Sequence, residues 1–126
     1  GCLNNWVDGW IDWNMVLDKQ GGPNWFKNWC VAPVIVDPEK DEVYYTPLYY
    51  TLAHFSKYIR PGAVRIGFEN QDESLMVTAA QNPDGSIAVI AFNEGNEEKT
   101  IELTLNNKST NLTISAKAIQ TLVIAN

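Results

Sequence analysis

Arg60-Pro61-Gly62 divides this chain into two patterns that one simple fold does not produce. Before it stands a single amphipathic helix. Thr46 is expected as its N-cap and Pro47 as its first residue, because proline is preorganised there and its missing N–H costs nothing. Leu48, Leu52, Phe55 and Ile59 then recur at helical spacing, and the proline–glycine pair stops the helix. From Val64 onward the apolar residues follow strand rules instead. Val64 to Phe68 alternates, and two apolar runs, Leu75 to Ala80 and Ser86 to Phe92, flank Asn82-Pro83-Asp84-Gly85, which has the chemistry of a hairpin turn. Thr100 to Leu105 alternates strictly, so Ile101, Leu103 and Leu105 are expected to be buried together on one face. Asn106 to Ser109 turns the chain, and Ala118 to Ile124 closes it. Five or six short strands separated by turns predict an antiparallel β-sandwich.

The residues before the helix are aromatic, asparagine-rich and punctuated by glycine. All five tryptophans fall there, at positions 6, 10, 13, 25 and 29. Trp10 to Leu17 reads as a strand without clean alternation, as expected of one covered on both faces. Gly21-Gly22-Pro23-Asn24 forces a loop. Pro33 to Asp37 reads as a short apolar strand ending at the turn Asp37 to Asp41. Cys2 and Cys30 are read as unpaired, buried thiols beside aromatic residues, with a disulfide as the alternative. A single histidine and no CxxC motif exclude a multi-histidine or cysteine-based metal site. His54 lies off the apolar stripe and is read as a hydrogen-bonding residue at a contact, not as a catalyst.

At 126 residues, 45% hydrophobic and 19% charged, the chain has the composition of a folded domain. The formal charge of -6 and the scattered lysines and arginines exclude a nucleic-acid partner. No apolar run reaches the ~20 residues that a membrane span requires. Gly1-Cys2-Leu3 has no signal-peptide character, and the chain is read as a piece of a longer protein. The sequons at Asn107 and Asn111 are read as coincidences of an asparagine-rich loop.

GWIDWNMVLDKQGGPNW, VIVDPEKDEVYY, HFSKYIRPGAVRIG and NPDGSIAVIAFN together resemble the C-terminal part of glycoside hydrolase family 30, the glucosylceramidase-like enzymes. The resemblance implies a mainly β (α+β) fold: an antiparallel β-sandwich side domain preceded by the last strand and helix of a truncated (β/α)₈ barrel. Residues 1–61 would be the barrel remnant, with residues 8–17 its last strand, and residues 62–126 the sandwich. The tryptophans would then cluster because they line the sugar-binding mouth of a barrel. Family members add N-terminal strands to the sandwich, so one sheet edge is expected to be open here.

The family's reaction is retaining hydrolysis of a β-glycosidic bond by two glutamates held ~5 Å apart. Both precede the last barrel strand in the family, whereas the first glutamate here is Glu39. No catalytic residue is therefore expected in this chain, and a barrel needs ~200 residues or more. The resemblance implies substrate-binding roles for Trp13 as an aromatic platform, Asn28 near the same pocket and Trp29 at its rim. Asp12 is included as a weaker candidate with a structural role. Trp6, Trp10 and Trp25 are assigned to packing. Flat apolar rings suit the C–H faces of sugars, and amides pair with hydroxyls. The expected partner is a glycan in the intact protein, with no cofactor and no metal, and the implied location is secreted or periplasmic. Residues 8–17 would be a barrel strand without its neighbours, so the first 40 residues are expected either to fold back on the sandwich in a non-barrel arrangement or to associate with a second copy through the tryptophan-rich segment. The alternative is a free carbohydrate-binding β-sandwich module, which the position of the tryptophans outside the sandwich strands disfavours.

Overall fold

The computed structural model describes residues 1–125; Asn126, the last residue of the expected sandwich, lies outside the described residues. The chain divides into two compact units, one of Asp8–Ala53 and one that joins Gly1–Val7 to the chain from His54 onward.

The first unit is built on a three-stranded sheet, β1 (Val16–Asp18), β2 (Val34–Asp37) and β3 (Glu42–Tyr45), in that spatial order. β1 runs parallel to β2, with Leu17 opposite Ile35, and β3 returns antiparallel. The expected strand from Trp10 to Leu17 is much shorter than its apolar character suggests. Only the residues opposite Val34–Val36 find a partner, and an extended segment becomes a strand only where a neighbour accepts its hydrogen bonds. Leu17 and Ala32 are the unit's buried apolar residues. β3 is a strand that the sequence reading misses. Its four residues are all exposed, so no inside–outside alternation marks them. The turn before it holds Asp41 at φ 56°, with Lys40 N–H donating to the Asp37 carbonyl at 3.3 Å.

α1 (Pro47–Tyr58) begins at the expected proline. Thr46 does not cap it with its side chain: the hydroxyl lies 3.1 Å from the carbonyls of both Ala32 and Pro33. Its single proton is used on that loop, and only the Thr46 carbonyl serves the helix, accepting from Tyr49 N–H at 3.0 Å. Leu48, Leu52, Phe55 and Ile59 are all half-buried, as the stripe predicts, while Thr51, Ser56 and Lys57 are exposed.

The second unit is the sandwich. β4 (Val64–Arg65), β5 (Leu75–Gln81), β6 (Ile87–Asn93) and β9 (Ile119–Ile124) form one antiparallel sheet in the order β4-β5-β6-β9. β7 (Lys99–Leu105) and β8 (Lys108–Ile114) form a second, two-stranded sheet. Leu75, Ala91 and Ile114 make the core, with Val77, Ile101, Leu112 and Ala118 packed against it. Ala88 to Ala91 are buried without a break, so β6 is covered on both faces. Ile101, Leu103 and Leu105 share a face as expected, but are half-buried and not fully enclosed.

The expected hairpin at Asn82 to Gly85 is present. Asn82 N–H donates to Ser86 O at 2.8 Å, and Gly85 takes φ 84°. Asn82 also serves the end of α1: its Nδ2 donates to Tyr58 O at 3.0 Å and its Oδ1 accepts from Arg60 N–H at 2.9 Å. The turn at Asn106 is tighter than expected. Asn106 and Asn107 both take positive φ, 50° and 61°, the conformation of a two-residue hairpin loop. The strand therefore resumes at Lys108, and β8, polar along most of its length, is the second strand the sequence reading misses.

Candidate functional site

The Asp8–Ala53 unit holds all four candidate residues, two of them, Asn28 and Trp29, on one loop. Its base is fixed by Asp18, whose Oδ1 accepts from the N–H groups of Gln20 and Gly22 at 2.8 and 2.9 Å. Asp18 N–H donates to Gly22 O at 2.7 Å, and Gly21 N–H returns to Asp18 O at 3.0 Å. Gly21 sits at φ 85°, against the backbone of Cys30: a Cβ there would collide with the Cys30 carbonyl oxygen and lie 2.7 Å from its nitrogen. Only glycine meets both demands, and the approach closes a loop from Gly21 to Cys30. Within it Lys27 takes φ 57°, an uncommon conformation for a residue with a side chain.

Two clefts open on this loop and share Gly21. One, of about 300 Å³, is lined by Trp13, Asn14, Gly21, Asn24, Trp25 and Asn28 among others. It brings together two of the four residues read as substrate-binding, Trp13 and Asn28. The other, of about 570 Å³, is lined by Trp29 with Cys30, Val31 and Ile35 on its apolar side and Asp18 and Lys19 on its polar side. Asp12 lines neither; its Oδ1 accepts from Trp13 N–H at 2.8 Å and so orients the backbone that carries the indole. The smaller cleft has the materials of sugar recognition, namely flat indoles and amide side chains. Asn24 Nδ2 is enclosed there with no hydrogen-bond partner among the described residues. The sequence reading passes over Gly21 and Asn24 as sites, although the Gly-Gly-Pro-Asn run marks the loop.

Two assignments change. Trp6, Trp10 and Trp25 are not packing residues within this chain: all three are exposed, Trp25 to 97%. Trp6 keeps one stacking contact, with the Arg65 guanidinium 4.8 Å from its ring centroid. Cys2 and Cys30 are both free, but Cys2 is exposed and Cys30 half-exposed, so neither is a buried thiol. His54 behaves as read: its Nδ1 pairs with Thr121 Oγ1 at 2.7 Å. No cluster of potential metal ligands occurs among the described residues, and no helix is long and apolar enough to cross a membrane.

Beneath the larger cleft, Lys19 Nζ lies 2.9 Å from the buried Asp37 Oδ2 and 3.3 Å from Glu39 Oε2. The lysine holds the Asp37 carboxyl below its ordinary value of 3.8, and Asp37 raises Lys19 above 10.5. A depressed aspartate stabilises the fold above its unfolded value and loses that contribution as pH falls through its folded one. A raised lysine contributes fully below its unfolded value and loses it as pH rises through the folded one. The thermal midpoint of this unit should therefore be flat across neutral pH and fall on acidification below 3.8. Lys19→Met should lower the plateau and flatten the acid limb, as read by tryptophan fluorescence; an unchanged acid limb would remove Asp37 from the account.

Residues 1–59 match the glycosyl hydrolase family 30 TIM-barrel domain, and residues 62–122 match the family 30 β-sandwich domain. Mouse lysosomal acid glucosylceramidase is 42% identical over 93 residues, covering 73% of this chain and 18% of that protein. A Caenorhabditis elegans relative is 41% identical over 131 residues, covering 98% of this chain and 25% of its own length. Among solved structures, the endo-β1,6-glucanase BT3312 superposes with a TM-score of 0.91 at 28% identity, covering 98% of this chain and 28% of that one. SrfJ from Salmonella typhimurium gives 0.88 at 31%, covering 92% and 26%. The chain thus spans between 18% and 28% of the length of these relatives.

Proposed function

The chain belongs to glycosyl hydrolase family 30, and from that membership we propose that it is the C-terminal part of a retaining β-glycosidase of the glucosylceramidase-like group. In this reading Trp13 presents an indole face to a sugar ring and Asn28 binds its hydroxyls. Trp29 forms the rim, and Asp12 holds the backbone of Trp13. The observation that carries the reading is the cleft in which Trp13 and Asn28 meet, within the segment that matches the barrel domain. The nucleophile and the acid/base lie in the preceding part of the polypeptide, so these residues bind and orient but do not perform either displacement. The partner is a β-linked glycan, and the intact protein is secreted or periplasmic. Turnover of aryl β-glucosides by the chain tests the assignment: none is expected.

The exposed tryptophans carry a second consequence. Each indole offers up to ~150–250 Å² of surface, and adjoining apolar rings on this scale normally mark an interface. The chain on its own is proposed to self-associate through its tryptophan-rich first 40 residues, burying Trp10, Trp13 and Trp25, which are all exposed here. Light scattering at micromolar concentration should report a dimer or larger species that Trp10→Ser with Trp25→Ser dissociates. A monomer at that concentration would contradict it.

A further inference from the structure

In an antiparallel strand alternate residues direct both backbone groups to the same edge, so Leu75, Val77 and Ala79 of β5 all face away from β6. β4 covers this edge only at its far end, opposite Ala80 and Gln81, and reaches Ala79 through one bond, Ile66 N–H to Ala79 O at 3.0 Å. The carbonyls of the rest would stand open beside the core residue Leu75 and Val77, which packs against it. They do not. Asn70 Nδ2 donates to Leu75 O at 2.8 Å, and Asn4 Nδ2 donates to Val77 O at 2.8 Å. Asn4 Oδ1 accepts in turn from the Thr78 hydroxyl at 2.9 Å, across 74 positions of sequence. Successive outward carbonyls of β5 are thus taken by two side-chain amides and one backbone amide.

We propose that Asn4 and Asn70 close the outer edge of β5 in place of a strand, and that Asn4 thereby straps the N-terminal segment to the sandwich. A primary amide suits the task because its NH₂ group carries two donors and its oxygen accepts, and Asn70 uses both donors, on Leu75 O and on Asp72 O at 2.9 Å. The segment is shaped to deliver it. Leu3–Asn5 form a short 3₁₀ turn in which Asn5 and Val7 N–H both donate to Cys2 O. Trp6 then leaves that turn in a left-handed conformation, φ 66°, and lies over Arg65, the last residue of β4. Asn4 and Trp6 therefore fasten one turn to two neighbouring strands. An unprotected edge is a template for pairing with another chain, and here protection comes from residues outside the sheet.

Hydrogen exchange read by mass spectrometry tests the strap. In Asn4→Ala the amides of Asn5 and Val7, which the short turn holds on Cys2 O, should exchange at least tenfold faster. In Asn70→Ala acceleration should appear around Leu75 and leave residues 1–7 unchanged. Asn4→Asp keeps the acceptor for Thr78 but loses the donor to the Val77 carbonyl, and should match Asn4→Ala at Asn5 and Val7. It also guards against a general loss of fold, which would accelerate β6 in every variant. Unchanged exchange at Asn5 and Val7 in both Asn4 variants would overturn the proposal, as would acceleration spread evenly over β5, β6 and β9.

Discussion

Asn93→Asp should abolish the cooperative unfolding transition of the sandwich at neutral pH. The Asn93 side chain is fully buried, and its Nδ2 faces three carbonyls: Glu97 O at 2.8 Å, with Ile114 O and Ser115 O each at 3.1 Å. Its Oδ1 accepts from Gly95 N–H at 2.9 Å. One amide thus joins the end of β6, the loop before β7 and the end of β8, which carries the core residue Ile114. Aspartate has the same shape but no donor, and places a carboxylate against carbonyl oxygens. An unpaired buried charge costs about 3–5 kcal/mol, comparable with the whole stability of a domain this small, roughly 3–9 kcal/mol. Burial would raise the pKa of the new carboxyl, so the penalty shrinks as pH falls and the protonated form regains one donor. Folding that recovers partly in acid, seen by circular dichroism, is the expected signature. A variant that melts like the parent at neutral pH would show that the amide does not hold the two sheets together.

Gly21→Ala has the second largest expected effect, confined to the loop that shapes both clefts. The left-handed backbone at φ 85° costs a residue with a side chain about 1–2 kcal/mol, and the added carbon also meets the backbone of Cys30, which cannot swing aside as a side chain can. The loop must part from Cys30, so the wall common to the two clefts is lost. Near-ultraviolet circular dichroism should lose the contribution of Trp29, which lies beside Cys30, while the far-ultraviolet spectrum of the sandwich stays. Gly9→Ala is the control, because nothing lies within 4 Å of a Cβ at that position, and it should be neutral. Equal behaviour of the two variants would remove Gly21 from the site.

How much of this was legible depends on where each element draws its stability. α1 and the β5–β6 hairpin carry their signals locally, in Pro47, the apolar stripe, and the Asn82–Gly85 turn, and both stand as read. β3 and β8 do not. Val43, Tyr44 and Tyr45 are all exposed, and Lys108 to Asn111 are exposed and polar, so neither segment shows an apolar face to read. β1 is short for the opposite reason: its apolar run continues back to Trp10, but pairing stops opposite Val34, where β2 begins. Thr46 misleads as a cap because the acceptors that draw its hydroxyl, Ala32 and Pro33, are distant in sequence. In the candidate site, Trp13 and Asn28 came from family resemblance, and no local pattern pairs residues fifteen positions apart across a loop. Gly21 owes its importance to Cys30, a contact that only the folded loop creates.

These residues belong to glycosyl hydrolase family 30, and the proposed function places both catalytic carboxylates outside them. The most direct test is turnover of an aryl β-glucoside and an aryl β-xyloside by the 126-residue chain, with a Trp13→Ala variant purified in parallel. The account predicts that both proteins release no aglycone above buffer, because a positioned indole and amide supply neither nucleophile nor proton donor. Turnover by the parent chain that disappears in Trp13→Ala would contradict it, since the catalytic residues would then have to lie within these residues.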